Sequence, residues 1–166
     1  MIFYEKIKAI CEKYEDVSFF IDMDGTIAEY EFFTKEYREN NKDGLFINIR
    51  PLKGVINCLK KINTDFPNIK LYILSLCKFN SDSLQKLDWL SRHAPFIKKD
   101  NTFILTRENG DYTPETIGEV KAEFIKKMIS SDEHVVFLED THVNMKNAKD
   151  LLEEQVSVFH ISSFIE

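Results

Sequence analysis

The sequence predicts an α/β fold, a Rossmann-like three-layer α/β/α sandwich built on a central parallel sheet of about five strands. Two observations carry this. Five short apolar runs, centred on Phe19, Ile73, Ile104, Phe137 and Val158, are separated by stretches whose apolar residues recur every three or four positions, so strand and helix alternate along the chain. The run Val17-Ser18-Phe19-Phe20-Ile21 carries apolar residues on both faces of an extended chain, as a central parallel strand covered on each side must. Such alternation implies right-handed crossovers with helices on both faces of the sheet.

Taken in order, Phe3, Ile7, Ile10, Cys11 and Tyr14 predict a first amphipathic helix packed on the sheet, followed by a strand over 17–22. Residues 27–50 scatter Tyr30, Phe32, Phe33, Tyr37 and Phe46 among charged neighbours; they fit neither a helix nor a strand and predict a short insertion over the strand ends. Pro51 and Gly54 open a helix carrying Val55, Cys58, Leu59 and Ile62 that ends near Pro67. Leu71-Tyr72-Ile73-Leu74 forms the next strand, ending at Ser75. From Ser81, its expected cap, to about His93 the positions Leu84, Leu87 and Leu90 mark another helix, with Trp89 expected in the core. Phe103-Ile104-Leu105 forms a third strand, and the loop Glu108-Asn109-Gly110-Asp111 follows. A helix through Val120, Phe124 and Met128 leads to the strand Val135-Val136-Phe137-Leu138. A helix over Met145, Ala148, Leu151 and Leu152 then precedes the strand Val156-Ser157-Val158-Phe159.

Length and composition narrow the function. With 166 residues, 43% of them hydrophobic, one domain over 1–166 is expected, with a cap insertion at about 27–50. No stretch reaches the roughly 18 to 20 apolar residues of a membrane span, and the N-terminus lacks a basic region followed by an apolar one, so a cytoplasmic protein is expected. Cys11, Cys58 and Cys77 are widely spaced, which suggests buried free thiols. A net charge of −6 disfavours a broad nucleic-acid-binding face, although a local basic pocket stays open.

The chemistry concentrates in Asp22-Met23-Asp24-Gly25-Thr26. In an extended chain Met23 points away while Asp22 and Asp24 face one site, and Gly25 permits the turn that follows. Ser75 ends the second strand, and Glu139 and Asp140 end the fourth. In a parallel sheet these ends share one edge, the edge at which open α/β folds bind ligands. Four carboxylates in one crevice repel one another and call for a cation; Mg2+, a hard ion served by carboxylates, a carbonyl and waters, is the natural choice.

These residues, in this order, resemble the haloacid dehalogenase superfamily of phosphotransferases. Arg50-Pro51-Leu52-Lys53-Gly54-Val55 and Lys86-Leu87-Asp88-Trp89-Leu90 look like its 5′-nucleotidase branch, which includes the deoxyribonucleotidases. The resemblance implies that Asp22 is the nucleophile that forms an aspartyl-phosphate and that Asp24 is the acid and base. It implies Ser75 as a phosphate donor and Lys121 as the cation beside the transferring group, with Lys126, Lys127 and Arg107 as competitors for that place. Mg2+ would be held by Asp22, the Asp24 backbone carbonyl, Asp140 and Glu139. For Asp140 the alternative is a helix N-cap. Asn144 is expected to act through an outer-shell water. His134 and His142 are read as flanking the metal-bearing strand end, and neither is given a task.

The resemblance makes a small phosphate ester, led by a nucleoside monophosphate, the expected substrate. Only about 25 residues separate the first motif from Pro51, so the cap is small. The site is then either open to bulky substrates such as a nucleic-acid end or phosphoprotein, or closed by a second copy in a homo-oligomer. A non-catalytic phosphate- or metal-sensing domain is the reading from another class. Asp24 speaks against it, because a base two residues from the phosphorylated aspartate hydrolyses the acyl-phosphate that such domains must preserve.

Overall fold

The structure, a computed structural model, describes residues 2–30, 34–41 and 44–164. Helix α1 (Ile2–Lys13) buries Phe3, Ile7 and Cys11, and β1 (Val17–Ile21) is buried at every position. After a connecting segment that holds the short helix α2 (Lys35–Asn40), helix α3 (Lys53–Asp65) stops where Phe66, extended ahead of Pro67, can no longer hold helical geometry. Then follow β2 (Ile69–Cys77), α4 (Asn80–His93), β3 (Thr102–Thr106), α5 (Ile117–Met128), β4 (His134–Glu139), α6 (His142–Leu152) and β5 (Val156–His160).

All five strands are parallel, in the order β3-β2-β1-β4-β5. The chain leaves β1 toward β2 on one side and later returns to β4 on the other, which makes the carboxyl end of β1 a topological switch point. Alternate residues of β1 face opposite layers. Phe19 and Ile21 join Phe3, Ile7, Leu59, Ile62 and Trp89 under α1, α3 and α4, while Phe20 joins Ala122, Ile125, Ala148 and Leu152 under α5 and α6. Phe3 meets Phe159 edge-on at 5.2 Å between ring centroids, so the first helix packs on the sheet as its spacing predicts. The three cysteines are free and buried.

Three local expectations are corrected. Strand β2 runs to Cys77, so Ser75 lies inside it, paired with Ile104, rather than at its end. Ser81 does not cap α4: the helix starts a residue earlier, behind Phe79, and the Asp82 carboxylate caps it by accepting from the Phe79 N–H at 3.3 Å. Within 27–50, Thr34 caps α2 by accepting from the Tyr37 N–H at 3.1 Å. A short capped helix therefore lies in a stretch with no helical period of its own.

The same segment is tied down at both ends. Ile27 and Ala28 are fully buried, Glu29 N–H donates to Arg50 O and Leu52 N–H to Ile27 O, both at 2.8 Å, so the insertion leaves and rejoins the core as a stitched pair of legs. Its returning leg lies on α4. Gln85 Oε1 accepts from Phe46 N–H at 2.9 Å, and Trp89 Nε1 and Arg92 Nη2 donate to the Ile49 and Ile47 carbonyls, each at 2.7 Å. Trp89 is fully buried, as expected for a core residue. Tyr30 and Tyr37 are about half exposed, whereas Phe32 and Phe33 lie outside the described residues.

Candidate active site

The site grows from the switch point. Ile21 pairs with Leu138, so Asp22, one residue on, lies level with Glu139, and its N–H continues the ladder to Leu138 O at 3.0 Å. The chain then folds over Met23, whose carbonyl accepts from Thr26, Ile27 and Ala28 at 3.0 to 3.2 Å and whose side chain is fully buried. That inward Met23 is what turns Asp22 and Asp24 to one side. Gly25 has φ +76°, and a Cβ there would fall 2.2 Å from Asp140 Oδ2. Glycine thus serves twice, for its left-handed backbone and for the carboxylate that occupies the space of a side chain.

Asp22 and Glu139 share one lysine. Lys121, on α5, reaches across the layer to donate to Asp22 Oδ1 and Glu139 Oε2, both at 2.6 Å. All three side chains are almost wholly buried. The second oxygen of Glu139 accepts from the N–H groups of Asp140 and Thr141 at 3.2 Å. Burial lowers the Lys121 pKa, but Asp22 and Glu139 outweigh it and hold the ammonium above its usual range. Burial first, and then the neighbouring Glu139, push the Asp22 carboxyl up against the opposing pull of Lys121, and burial likewise raises Glu139.

Asp22, Glu139 and Asp140 each offer an oxygen within 4.8 Å of the others. These carboxylates and the Lys121 ammonium sum to two net negative charges, which a divalent cation neutralises, and their donors are the hard oxygens that suit Mg2+. The residues present therefore fit the ion. The carboxylate of Asp24 stands apart from this cluster. Asp140 accepts from its neighbour Thr141 Oγ1 at 3.0 Å, and Thr141, not Asp140, occupies the cap position of α6.

A second polar group adjoins the first. Lys86, on α4 and with no exposed surface, pairs with Asp24 Oδ2 and donates to Ser75 Oγ and Leu76 O, both at 2.9 Å. Beyond Asp24 opens a cavity of about 1030 Å³, whose walls include Tyr30, Phe46, Phe79 and Tyr112 and whose rim carries Lys78 and Arg107.

The residues singled out by sequence thus divide. Asp22, Lys121, Glu139 and Asp140 come together; Asp24 and Ser75 come together one step away. Lys126 and Lys127 face solvent at the far end of α5, and Arg107 sits at the cavity mouth over the Tyr112 ring, 5.5 Å from its centroid. Asn144 and Asn147 lie against Gly118, where a Cβ would come within 3.2 and 2.2 Å of them, so this asparagine packs at the contact of α5 with α6. His134 does not flank the carboxylate-bearing end of β4. It begins β4 at the opposite edge, stacked on Tyr14 at 3.9 Å and bonded to Ser157 Oγ at 2.9 Å. His142 does lie near the site, stacked on His160, whose Nε2 meets the Asp140 carbonyl at 3.0 Å.

The sequence gives Lys86 no role beyond its place in the nucleotidase-like stretch 86–90, and it gives His160 none at all. A signal existed for Lys86: Asp82, Trp89 and Leu90, four behind and three and four ahead, are all buried, which puts this lysine on the inner face of its helix. His160 gives no such signal, because only the sheet order brings it beside Asp140.

Comparison with known proteins agrees with this fold. Residues 3–151 match the model of the family described as 5′ nucleotidase, deoxy (Pyrimidine), cytosolic type C protein. Among solved structures, the HAD domain of the effector protein Lem4 from Legionella pneumophila aligns with a TM-score of 0.53 at 16% identity, over 88% of this chain and 87% of that one. A haloacid dehalogenase-like hydrolase from Burkholderia xenovorans LB400, described as putative in its own name, aligns with a TM-score of 0.54 at 12% identity, over 87% and 81%. Both show the same fold. No curated protein matches significantly.

Proposed function

The chain belongs to the cytosolic type C 5′-nucleotidase family and is a phosphatase of the haloacid dehalogenase fold; from that premise we propose that it is a Mg2+-dependent phosphomonoesterase working through an aspartyl-phosphate on Asp22. The observation that carries the proposal is the meeting of Asp22, Lys121, Glu139 and Asp140 at the carboxyl edge of β1 and β4, beside a second carboxylate, Asp24, that can move a proton.

In the first half-reaction an oxygen of Asp22 bonds to phosphorus as the bond to the ester oxygen breaks, and the departing oxygen takes its proton from Asp24. In the second, water gives that proton back to Asp24 as its oxygen bonds to phosphorus, and the Asp22 carboxylate is released with inorganic phosphate. Lys121 holds Asp22 in place and counters the charge that the phosphoryl group brings. Ser75 uses Oγ to accept from Lys86, which leaves its hydroxyl proton for a phosphate oxygen. Asp22, Glu139 and Asp140, with the Asp24 carbonyl, would hold Mg2+, which when bound supplies positive charge to the phosphoryl oxygens.

The substrate we favour is a small phosphate ester, a nucleoside monophosphate first. The family and the aromatic walls of the cavity next to Asp24 support it. The segment at about 27–50 serves as a reduced cap within one domain. No helix among the described residues is long and apolar enough to cross a membrane. A panel of nucleoside monophosphates and other phosphate esters, assayed with and without Mg2+, tests the reading. Turnover should require the metal and vanish in Asp22→Asn; full activity in that variant, or metal-independent turnover, would defeat the mechanism. Turnover of other esters with none of any nucleotide would remove the substrate and leave the mechanism.

A further inference from the structure

Lys86 is a lysine with no surface, paired with Asp24, which lines a large cavity. An ammonium has three N–H donors and no acceptor. In this structure three acceptors take them: Asp24 Oδ2, Ser75 Oγ and the Leu76 carbonyl. No donor is left for a substrate phosphate, so Lys86 cannot work as Lys121 is proposed to. What it does is join two groups that the proposed mechanism sets at opposite ends of the scissile bond, the Asp24 carboxylate on the leaving-group side and the Ser75 hydroxyl on the phosphate side.

Each bond has a directional consequence. The one to Asp24 ties a single carboxylate oxygen and leaves the other to exchange a proton. The one to Ser75 makes Oγ an acceptor, and because an ammonium cannot accept in return, the hydroxyl hydrogen must point elsewhere. The third bond, to the Leu76 carbonyl inside β2, fixes the ammonium to the sheet, so that both partners are referred to a rigid element. The helix bearing Lys86 is itself held, since Gln85, Trp89 and Arg92 bond the backbone of the returning cap leg and the Phe46 ring lies 4.9 Å from the ammonium.

We propose that Lys86 is the positioning residue of this phosphatase, holding the Asp24 carboxylate where it can protonate the departing oxygen while turning the Ser75 hydroxyl toward the phosphate. The assignment rests on the phosphatase reading above and deepens it. Its signature is a dependence on the leaving group. An alkoxide such as a nucleoside 5′-oxygen departs poorly without a proton, whereas 2,4-dinitrophenolate departs without one. Loss of a positioned acid therefore steepens the dependence of rate on leaving-group acidity, while a general loosening of the fold lowers every rate alike.

The test uses the full chain with Mg2+ and a series running from a nucleoside monophosphate through p-nitrophenyl phosphate to 2,4-dinitrophenyl phosphate. Lys86→Met is expected to lower kcat on the nucleoside ester by about 10²-fold and on the dinitrophenyl ester by about tenfold or less, in keeping with the size of general acid catalysis. In an Asp24→Asn background the same substitution should cost the nucleoside ester only about tenfold or less, since its hold on Ser75 remains while the acid it positions is gone. Lys86→Gln, whose amide retains two donors, should fall between wild type and Lys86→Met and decides the matter if the methionine variant does not fold. Equal losses across the series, no loss at all, or losses that simply multiply with those of Asp24→Asn would overturn the assignment. A wild-type protein that cleaves none of the esters would overturn the phosphatase reading and this role with it; active wild type with a flat series overturns the role alone.

Discussion

Adding one methyl group at Gly25 probes the site without removing any of its polar atoms. A Cβ there would lie 2.2 Å from Asp140 Oδ2 and 2.8 Å from its Cγ, where ordinary contact begins near 3.4 Å. The Asp140 carboxylate must therefore retreat by roughly 1 Å, a displacement that can cost about 10²-fold when it reaches a reacting group. The left-handed backbone, φ +76°, adds about 1–2 kcal/mol of strain for any residue with a Cβ. For a chain of this length that lowers Tm by about 2–8 °C. Gly110 provides the control, with φ +79° and nothing within 4 Å of its Cβ position. Gly25→Ala and Gly110→Ala should lose comparable stability from the backbone, but only Gly25→Ala should need more Mg2+ for half-maximal turnover, by about 10- to 100-fold. Thermal unfolding and a Mg2+ titration of activity measure the two effects separately. If Gly25→Ala shows the Mg2+ requirement and turnover of Gly110→Ala, Asp140 does not hold the metal in the place the geometry assigns it.

Two further outcomes follow from buried charge. Lys121→Met leaves Asp22 and Glu139 facing each other without a cation and should cost about 3–5 kcal/mol in urea denaturation at pH 7.5 without metal. Both carboxyls are then raised further, so the deficit should shrink as pH falls toward 4 and they protonate; a deficit that is the same at pH 4.5 would refute the pairing. At the other edge, burial first and then Lys13 and Lys149 push the His134 imidazole down to about 4. A base depressed in the folded state contributes stability that is complete above its unfolded pKa near 6.5 and is lost as pH falls toward 4, up to about 3 kcal/mol. His134→Gln should flatten that slope between pH 6.5 and 4 relative to wild type, and an unchanged slope would show that His134 is not its source.

Most of the fold was legible because the signals are local. The helical spacing of Phe3, Ile7 and Cys11 and the apolar run before Asp22 are properties of neighbouring residues, and the elements formed where they lie. The errors also have local causes. Ser81 has the residue type of a cap, but the Asp82 carboxylate satisfied the helix start one turn position earlier, behind Phe79. Ser75 marked a change of polarity that the chain did not treat as a strand end, because pairing with β3 carries β2 on to Cys77. His134 was misplaced because nearness in sequence to Glu139 says nothing of direction: six residues of strand separate two opposite edges of the sheet.

By itself, the sequence determined the alternation of strands and helices and which strand ends carry carboxylates, since backbone period and residue polarity are written position by position. Only the tertiary structure decided which lysine meets which carboxylate. Lys121 reaches Asp22 across 99 residues of chain and Lys86 reaches Asp24 across 62, distances set by sheet order, register and the face each helix turns inward. Charges of one type are interchangeable in a sequence and become distinct only when burial removes water and fixes each to a partner, Lys121 to the cluster suited to a metal and Lys86 to Asp24.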